Sequence, residues 1–189
     1  ARVAEMFLRE NLRSAEMLQQ GSPEALLRWA AACAQQAAPA DIYRDKEGRK
    51  TLRVHLAEHS FFLKYHAGIG WLEICKNLLQ LRLPVTGAGS EYRAVRRLQS
   101  IGVDTLAVAA YASKGRNPAT VASMILTDDL LHTTSLEDYC ADWVARPPAF
   151  RIRKRLLLKL ADSARRMHGA GINHRDFYIC HFHLDEASL

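Results

Sequence analysis

The sequence predicts an α+β protein of two lobes, with a sheet-rich first lobe and a mainly helical second lobe. Two patterns predict it. Over residues 41–127, apolar and polar side chains alternate in short runs separated by polar turns, which is typical of antiparallel strands. After residue 127 the period becomes helical, and one long amphipathic pattern covers 151–168. We therefore expect a five-stranded, largely antiparallel sheet with one prominent helix in 41–127, then a hinge and helices in 128–189.

A helical segment is expected before the sheet, in residues 1–40. Apolar side chains recur at roughly helical spacing over 2–20, so a first helix is predicted there. Ser22 followed by Pro23 has the form of an N-cap and a first-turn proline, and an alanine-rich helix should continue to about Ala37. Neither helix carries residues that indicate chemistry, so both are interpreted as packing or docking helices.

Each strand of the sheet is predicted from a short alternating run. The five runs are 42–44, 52–56, 61–65, 106–112 and 121–127. Helices over 71–81 and 90–100 connect the third run to the fourth. In the second lobe, Ser135 opens a capping box, so a short helix should begin there and end by Trp143.

Composition indicates a folded protein with an anionic partner. Of the 189 residues, 49% are hydrophobic and 24% are charged, which excludes disordered, collagen-like and disulfide-dense small proteins. The formal charge is +6, and basic residues concentrate over 151–166 and in a second set over 76–97. Nucleic acid, an anionic lipid surface, a phosphorylated substrate or a small acidic protein would suit this charge. The alternative for either cluster is a solvated helix face.

The sequence also indicates a cytoplasmic protein. Its four cysteines, Cys33, Cys75, Cys140 and Cys180, show no paired spacing, and no secretory signal is recognisable. Free thiols in a reducing compartment are therefore expected. No run approaches the 18 uninterrupted apolar residues of a membrane span, so none is predicted.

One tripeptide, His174-Arg175-Asp176, indicates phosphoryl transfer. In protein-kinase-like folds it opens the catalytic loop, where the Asp accepts the proton of the substrate hydroxyl and the residue five positions later helps to hold a metal ion. That later residue is His181 in this sequence. The tripeptide follows the long helix of the second lobe, as the kinase arrangement requires, and position gives the short motif its weight.

Further kinase components occur in the expected order. Lys64 ends the third predicted strand, where kinases hold the lysine that grips the ATP phosphates, and Glu91 begins the following long helix. Gly48 lies in the turn between the first two strands, where backbone amides can cover phosphates, although the turn has no G-x-G-x-x-G pattern. The structural alternatives are an ordinary strand-end lysine and a helix-start glutamate favoured by the helix dipole.

The polar residues after the long helix allow two other kinds of site. Cys180, His181 and His183, together with His174, are metal-binding residue types, but their spacing matches no common zinc pattern. Cys180 also has nearby histidines, as a nucleophilic cysteine would, but no third group is placed to orient one. Buried packing is the simpler interpretation of this cysteine.

The motif-bearing strings lie at 171–182 (GINHRDFYICHF), 47–53, 65–71, 76–79, 96–98 and 135–143. Together they resemble the lipopolysaccharide kinase (Kdo/WaaP) family, and the resemblance covers roughly 41–184. It implies a protein-kinase-like two-lobe fold, of which the helical second lobe is only partly contained in this sequence. The family's later Asp-Leu-His segment, which supplies the metal-binding Asp, is expected beyond Leu189.

The resemblance also implies an activity and the residues that perform it. The activity is ATP- and Mg²⁺-dependent transfer of phosphate to the 4-hydroxyl of the first heptose in the lipopolysaccharide inner core. By position, Asp176 is then the catalytic base, and Lys64 is the phosphate-gripping lysine with Glu91 as its partner. His181 replaces the asparagine that is usual at the metal.

The same resemblance implies where the protein works. The family acts on a lipid-anchored acceptor at the cytoplasmic face of the inner membrane, so a peripheral protein at an anionic surface is expected. A small acidic protein such as an acyl carrier protein would also suit the basic segment 151–166. Two alternatives stay open: a kinase for another alcohol such as Kdo or an aminoglycoside, and a catalytically incomplete kinase-like binding protein. No nucleic-acid-binding motif is present, so nucleic acid is not expected as a partner.

Overall fold

The chain forms two compact units. The computed structural model describes residues 4–13, 21–46, 48–68, 70–79, 87–174 and 177–185. The first unit draws on 1–96 and 106–129, and the second on 97–105 and 130–189. The first contains a large sheet and the second is mainly helical, so the predicted α+β class is confirmed.

A six-stranded antiparallel sheet is the framework of the first unit within the described residues. Its strands are β1 (Ala4–Leu8), β2 (Ile42–Lys46), β3 (Arg49–Leu56), β4 (His59–His66), β5 (Val108–Lys114) and β6 (Ala122–Asp128). Their order across the sheet is β1-β5-β6-β4-β3-β2, and every neighbouring pair is antiparallel. Five of these strands correspond to the five predicted runs, with ends that differ by a few residues. The sixth, β1, was not predicted.

The prediction of a helix over 2–20 is wrong where the structure describes that segment. Ala4–Leu8 is a strand that pairs with β5, with Phe7 opposite Tyr111, and a single 3-10 turn follows it at Glu10–Leu12. Without β1, the outer edge of β5 would carry unpaired backbone N–H and C=O groups, which are costly where they are shielded from water. The strand satisfies these groups and buries Leu8, and the stabilisation from this pairing outweighs the helical preference of the local sequence. Residues 14–20 of the predicted helix lie outside the described residues.

Within the described ranges, three helices lie between these strands in the sequence, and the first and third of them pack on opposite faces of the sheet. These are α1 (Pro23–Gln36), α2 (Gly70–Leu79) and α3 (Gly89–Ser100). The start of α1 is as predicted, because the Ser22 hydroxyl accepts a hydrogen bond of 3.2 Å from the amide of Ala25. Buried side chains of α1 cluster with one face of the sheet, while Val95 of α3 clusters with the other face. Each large side chain buried in this way contributes about 1.5–3 kcal/mol of hydrophobic stabilisation.

The second unit is built around one long helix. Its elements are β7 (Thr134–Ser135), α4 (Leu136–Cys140), α5 (Phe150–Gly169) and β8 (His183–Leu184). The predicted capping box is present, since the Ser135 hydroxyl accepts a hydrogen bond of 3.1 Å from the amide of Asp138. Leu136, Leu156 and Leu184 form its core. The short ladder of β7 and β8 was not predicted, because two-residue strands leave no periodic pattern. No helix in the described part of the chain has the length and apolar content needed to cross a bilayer.

Candidate active site

Lys64 and Glu91 form an ion pair in the first unit. The Lys64 Nζ atom donates a hydrogen bond of 2.6 Å to the Glu91 Oε1 atom. Their side chains are 33% and 31% exposed, so the pair is accessible to a ligand without being fully solvated. The contact predicted from the sequence, between residues 27 positions apart, is therefore present. The role of the pair in binding phosphates stays a prediction.

The direction of Lys64 follows from the alternation of β4. Phe61 and Leu63 are buried in the cluster that α1 covers, and successive strand residues point to opposite faces. Lys64 therefore points to the other face, on which α3 packs. The neighbouring strands β3 and β6 flank β4 and hold the lysine in register, with Thr51 and Ile125 as its paired residues.

Glu91 is held by contacts on both sides of it in sequence. The amide of Ala88 donates a hydrogen bond of 2.9 Å to the Ser123 hydroxyl of β6, which fixes the start of α3. Tyr92 stacks on Tyr111 of β5 with ring centroids 4.2 Å apart and an interplanar angle of 5°. The carboxylate thus has little freedom to move away from Lys64, and a negative charge in the first helical turn is also favoured by the helix dipole.

Gly48 shapes the turn that precedes β3. Its φ is +71°, and an added Cβ atom would lie 2.5 Å from the carbonyl oxygen of Gly68. The carbonyl of Gly48 accepts a hydrogen bond of 3.0 Å from the amide of Ala67. The turn is therefore tied to the residues that follow β4, the strand that carries Lys64. Glycine is needed for both the conformation and the close approach.

His66 is a buried polar residue that the sequence analysis did not single out. It lies two residues after Lys64 on the same face of β4, with only 7% of its surface exposed. Its Nδ1 atom has no hydrogen-bond partner among the described residues. Burial, and then the nearby Arg49 charge, lower the pKa of His66 to about 4, so the ring is neutral at pH 7. Its position beside Lys64 within one of the family-like strings was the signal available in the sequence.

In the second unit, His174 and His181 lie near each other after α5. Their ring centroids are 6.3 Å apart, and both belong to an aromatic group with Phe177 and Phe182. Gly171, with φ +71°, lies just beyond the end of α5, and the amide of Ile172 donates a hydrogen bond of 2.9 Å back to the Met167 carbonyl. Arg175 and Asp176 lie outside the described residues, so the predicted catalytic base and its neighbour stay predictions.

The described surroundings of His181 do not match a magnesium site. Mg²⁺ prefers oxygen ligands, whereas the described ring neighbours of His181 are His174 and Tyr178. No group of three or more His, Cys, Asp or Glu side chains converges anywhere in the described ranges. The soft-metal alternative is thus not formed by Cys180, His181 and His183. That His181 helps to hold a metal stays a prediction.

The basic segment of α5 lines a surface cleft in the second unit. The cleft has a volume of about 550 Å³, and its cationic lining residues are Arg151, Lys154, Arg155, Lys159 and Arg166. Asp162 lies among them and accepts hydrogen bonds from Arg165 and Arg166, which lower the pKa of its carboxyl group. Asp104 is the second acid in the lining, so five cationic side chains face two carboxylates and the cleft keeps an excess of positive charge.

Comparison with known proteins decides the family. The model of the lipopolysaccharide kinase (Kdo/WaaP) family matches residues 34–188. The chain belongs to this family. The match includes Lys64, Glu91 and the 171–182 string, so the Kdo/WaaP resemblance seen in the sequence is confirmed.

Two relatives in the Kdo/WaaP family are named lipopolysaccharide core heptose(I) kinase WaaP. The protein of Escherichia coli strain K12 is 52% identical over 144 residues, which are 76% of this chain and 54% of the relative. The protein of Pseudomonas aeruginosa is 48% identical over 143 residues, which are 76% of this chain and 53% of the relative. The chain spans about half the length of the curated relatives it matches.

A solved structure, WaaP in complex with acyl carrier protein, is also similar to this chain. The two share 33% sequence identity and a TM-score of 0.74, over 95% of this chain and 63% of the solved chain. This likeness confirms the fold class predicted for a Kdo/WaaP kinase. Within the described residues, the sheet has six strands instead of the predicted five, and the ends of the five differ by a few residues.

Proposed function

We propose that the protein is an ATP-dependent kinase that phosphorylates the 4-hydroxyl of the first heptose in the lipopolysaccharide inner core. The observation that carries the proposal is the 2.6 Å ion pair of Lys64 and Glu91 in a member of the Kdo/WaaP family. Relatives with 48% and 52% identity that are named core heptose(I) kinases support the choice of acceptor.

Lys64 supplies fixed positive charge to the ATP phosphates. An isolated lysine has four rotatable bonds, and ordering them opposes binding. Glu91 removes part of this freedom by holding the ammonium group before ATP arrives, on a helix start that Ser123 and Tyr111 fix in place. The turn at Gly48 is tied to the same part of β4 and covers the phosphates with backbone amides.

Asp176 accepts the proton of the heptose hydroxyl late in the transfer. The hydroxyl oxygen forms a bond to the γ-phosphorus, and the bond from that phosphorus to the ADP oxygen breaks, so ADP leaves with the displaced electron pair. His174 and Arg175 belong to the loop that carries this carboxylate. Mg²⁺ is the proposed metal, but the described residues do not match its preferred ligands, and no step is assigned to it.

The kinase proposal is tested by ATP consumption with dephosphorylated, heptose-containing core lipopolysaccharide as acceptor. Replacing Asp176 by Asn should lower core-dependent turnover by about 100-fold or more, the usual contribution of a general base. Asp185→Asn is the matched control, since it makes the same chemical change nine positions later. Full activity in Asp176→Asn would refute the assignment of the base. Competition with Kdo or an aminoglycoside as acceptor separates the core kinase from a kinase for another alcohol.

A partner and a location complete the proposal. An acyl carrier protein, or a similar small acidic protein, binds the basic cleft of α5; the support is the charge of the cleft and the name of the similar solved complex. Binding measured at rising salt should weaken steeply, and Lys154→Glu with Lys159→Glu should abolish it. The protein works at the cytoplasmic face of the inner membrane, because its proposed acceptor is anchored there by lipid.

A further inference from the structure

An apolar stripe runs along one face of α2. Its members are Trp71, Leu72, Cys75, Leu78 and Leu79, and their spacing places all five within about one third of the helix circumference. Leu72 and Leu79 are each 85% exposed, Trp71 is 57% exposed and Leu78 is 51% exposed. Cys75, at the centre of the stripe, is also exposed. We call these five residues the α2 stripe.

The helix is attached to the first unit by its first residue and by the flank that carries Ile74, beside the stripe. Ile74 is only 5% exposed, and the amide of Gly70 donates a hydrogen bond of 2.9 Å to the carbonyl of Ala119. The α2 stripe therefore faces outward from a docked helix. Single exposed apolar residues are normal on protein surfaces, but a continuous apolar patch marks an interaction site.

The part of the sequence around α2 is basic. Residues 61–127 contain eight Lys and Arg but only three Asp and Glu, so they account for most of the net charge of +6. Within the first unit, Arg93 and Arg96 on α3 and Arg116 near the start of α2 are exposed. Lys64 and Glu91 neutralise each other in this stretch, which leaves seven Lys and Arg against two Asp and Glu. The α2 stripe thus lies in a positively charged part of the chain.

We propose that α2 is an interfacial helix whose stripe inserts into an anionic lipid monolayer. Tryptophan and leucine on one face, within a basic protein, form the composition that lies in the plane of a membrane surface. The helix has 10 residues and is about 15 Å long, so it suits the surface and not a span. A second copy of the chain is a poorer occupant, because it would bring two positively charged regions together. The inference rests on the proposed function, in which the acceptor is lipid-anchored.

The test uses the thiol at the centre of the stripe. Cys75 is exposed while Cys33, Cys140 and Cys180 are half-buried, so an environment-sensitive fluorophore can be attached at Cys75. Mixing the labelled chain with phosphatidylglycerol-containing vesicles should raise and blue-shift the emission, whereas pure phosphatidylcholine vesicles should change it much less. Unlabelled protein should co-sediment with the phosphatidylglycerol-containing vesicles.

Two double variants distinguish insertion of the stripe into lipid from binding by electrostatic attraction alone. Leu72→Glu with Leu79→Glu should lower the vesicle partition coefficient at least about tenfold for each buried leucine lost. Val144→Glu with Leu157→Glu adds the same negative charge at exposed apolar positions elsewhere and should reduce partitioning only slightly. Equal losses in the two double variants would overturn the proposal, because binding would then depend on net charge only.

Two further outcomes would also overturn it. Emission that does not change with anionic vesicles would show that the stripe stays in water. A Cys75 that resists a hydrophilic thiol reagent in the absence of lipid would show that protein covers the stripe instead. None of these measurements involves ATP or a sugar acceptor, so failure of the lipid proposal is distinguishable from failure of the kinase proposal.

Discussion

Mild acid should destabilise the sheet unit through His66. This imidazole is 7% exposed between the Arg49 and Ser123 positions of the neighbouring strands, and burial lowers its pKa from 6.5 to about 4. In the unfolded chain the ring takes up a proton near pH 6.5, but in the folded protein it does not until near pH 4. Between these values the unfolded state binds more protons, so the free energy of unfolding falls as the pH falls.

The size of the effect follows from the shift in the pKa of His66. A difference between 6.5 and about 4, at 1.36 kcal/mol for each pKa unit, corresponds to about 3 kcal/mol once the ring is protonated in both states. By pH 4.5 about 2 kcal/mol of this should already be lost. That is a large part of the stability of an ordinary domain, which is about 5–15 kcal/mol.

Urea unfolding at pH 7 and pH 4.5, followed by tryptophan fluorescence, measures the loss. His66→Gln removes the titrating group, so this variant should not share the loss. The gap in unfolding free energy between His66→Gln and the unmodified chain should therefore change by about 2 kcal/mol from pH 7 to pH 4.5. His59→Gln, at the exposed start of the same strand, is the matched control. Its gap in unfolding free energy from the unmodified chain should be nearly the same at the two pH values. If the unmodified chain and His66→Gln lose stability in parallel as the pH falls, the burial argument for His66 is refuted.

Three other substitutions probe the candidate site. Glu91→Gln removes the charge that holds Lys64, so the KM for ATP should rise and turnover should fall. Turnover of Lys64→Met should fall at least as far as that of Glu91→Gln. Steady-state kinetics with core acceptor would measure both variants, and an unchanged KM in Glu91→Gln would contradict the pairing role. Gly48→Ala places a Cβ atom 2.5 Å from the Gly68 carbonyl oxygen, on a residue whose φ is +71°. The free energy of unfolding, measured by thermal denaturation, should therefore fall by about 1–3 kcal/mol. A variant as stable as the unmodified chain would contradict the tight turn.

Strands and helices with strong local patterns were predictable from the sequence. The central strands alternate clearly, and α1 and α4 begin at capping residues whose hydrogen bonds are present in the structure. β1 was not predictable, because its apolar residues fit either a helix or an edge strand. The choice depends on β5, whose open edge is formed by residues about 100 positions away. Local patterning carries no information about that edge.

The candidate site also combines features that local sequence predicts with features that depend on distant parts of the chain. Lys64 and Glu91 were found because kinases place these residue types in a fixed order, and their contact needs only the predicted strand and helix. His66 was missed because its burial results from β3 and β6 closing on both sides of β4, which no local pattern reports. The catalytic role of Asp176 depends on the sequence motif, since the residue lies outside the described ranges.

The pairing of β1 with β5 has a consequence for how the protein is made. Ala4 pairs with Lys114, so β1 leaves the ribosome well before β5, its neighbour in the described sheet, has been synthesised. Translation at about 5–20 residues per second separates the two strands by several seconds. During that time the apolar side chains of β1 have no strand to pack against, and β4 with β3 can already form a local hairpin. We therefore expect the sheet to grow from the middle of the chain and to be completed only when its earliest strand is added at the edge.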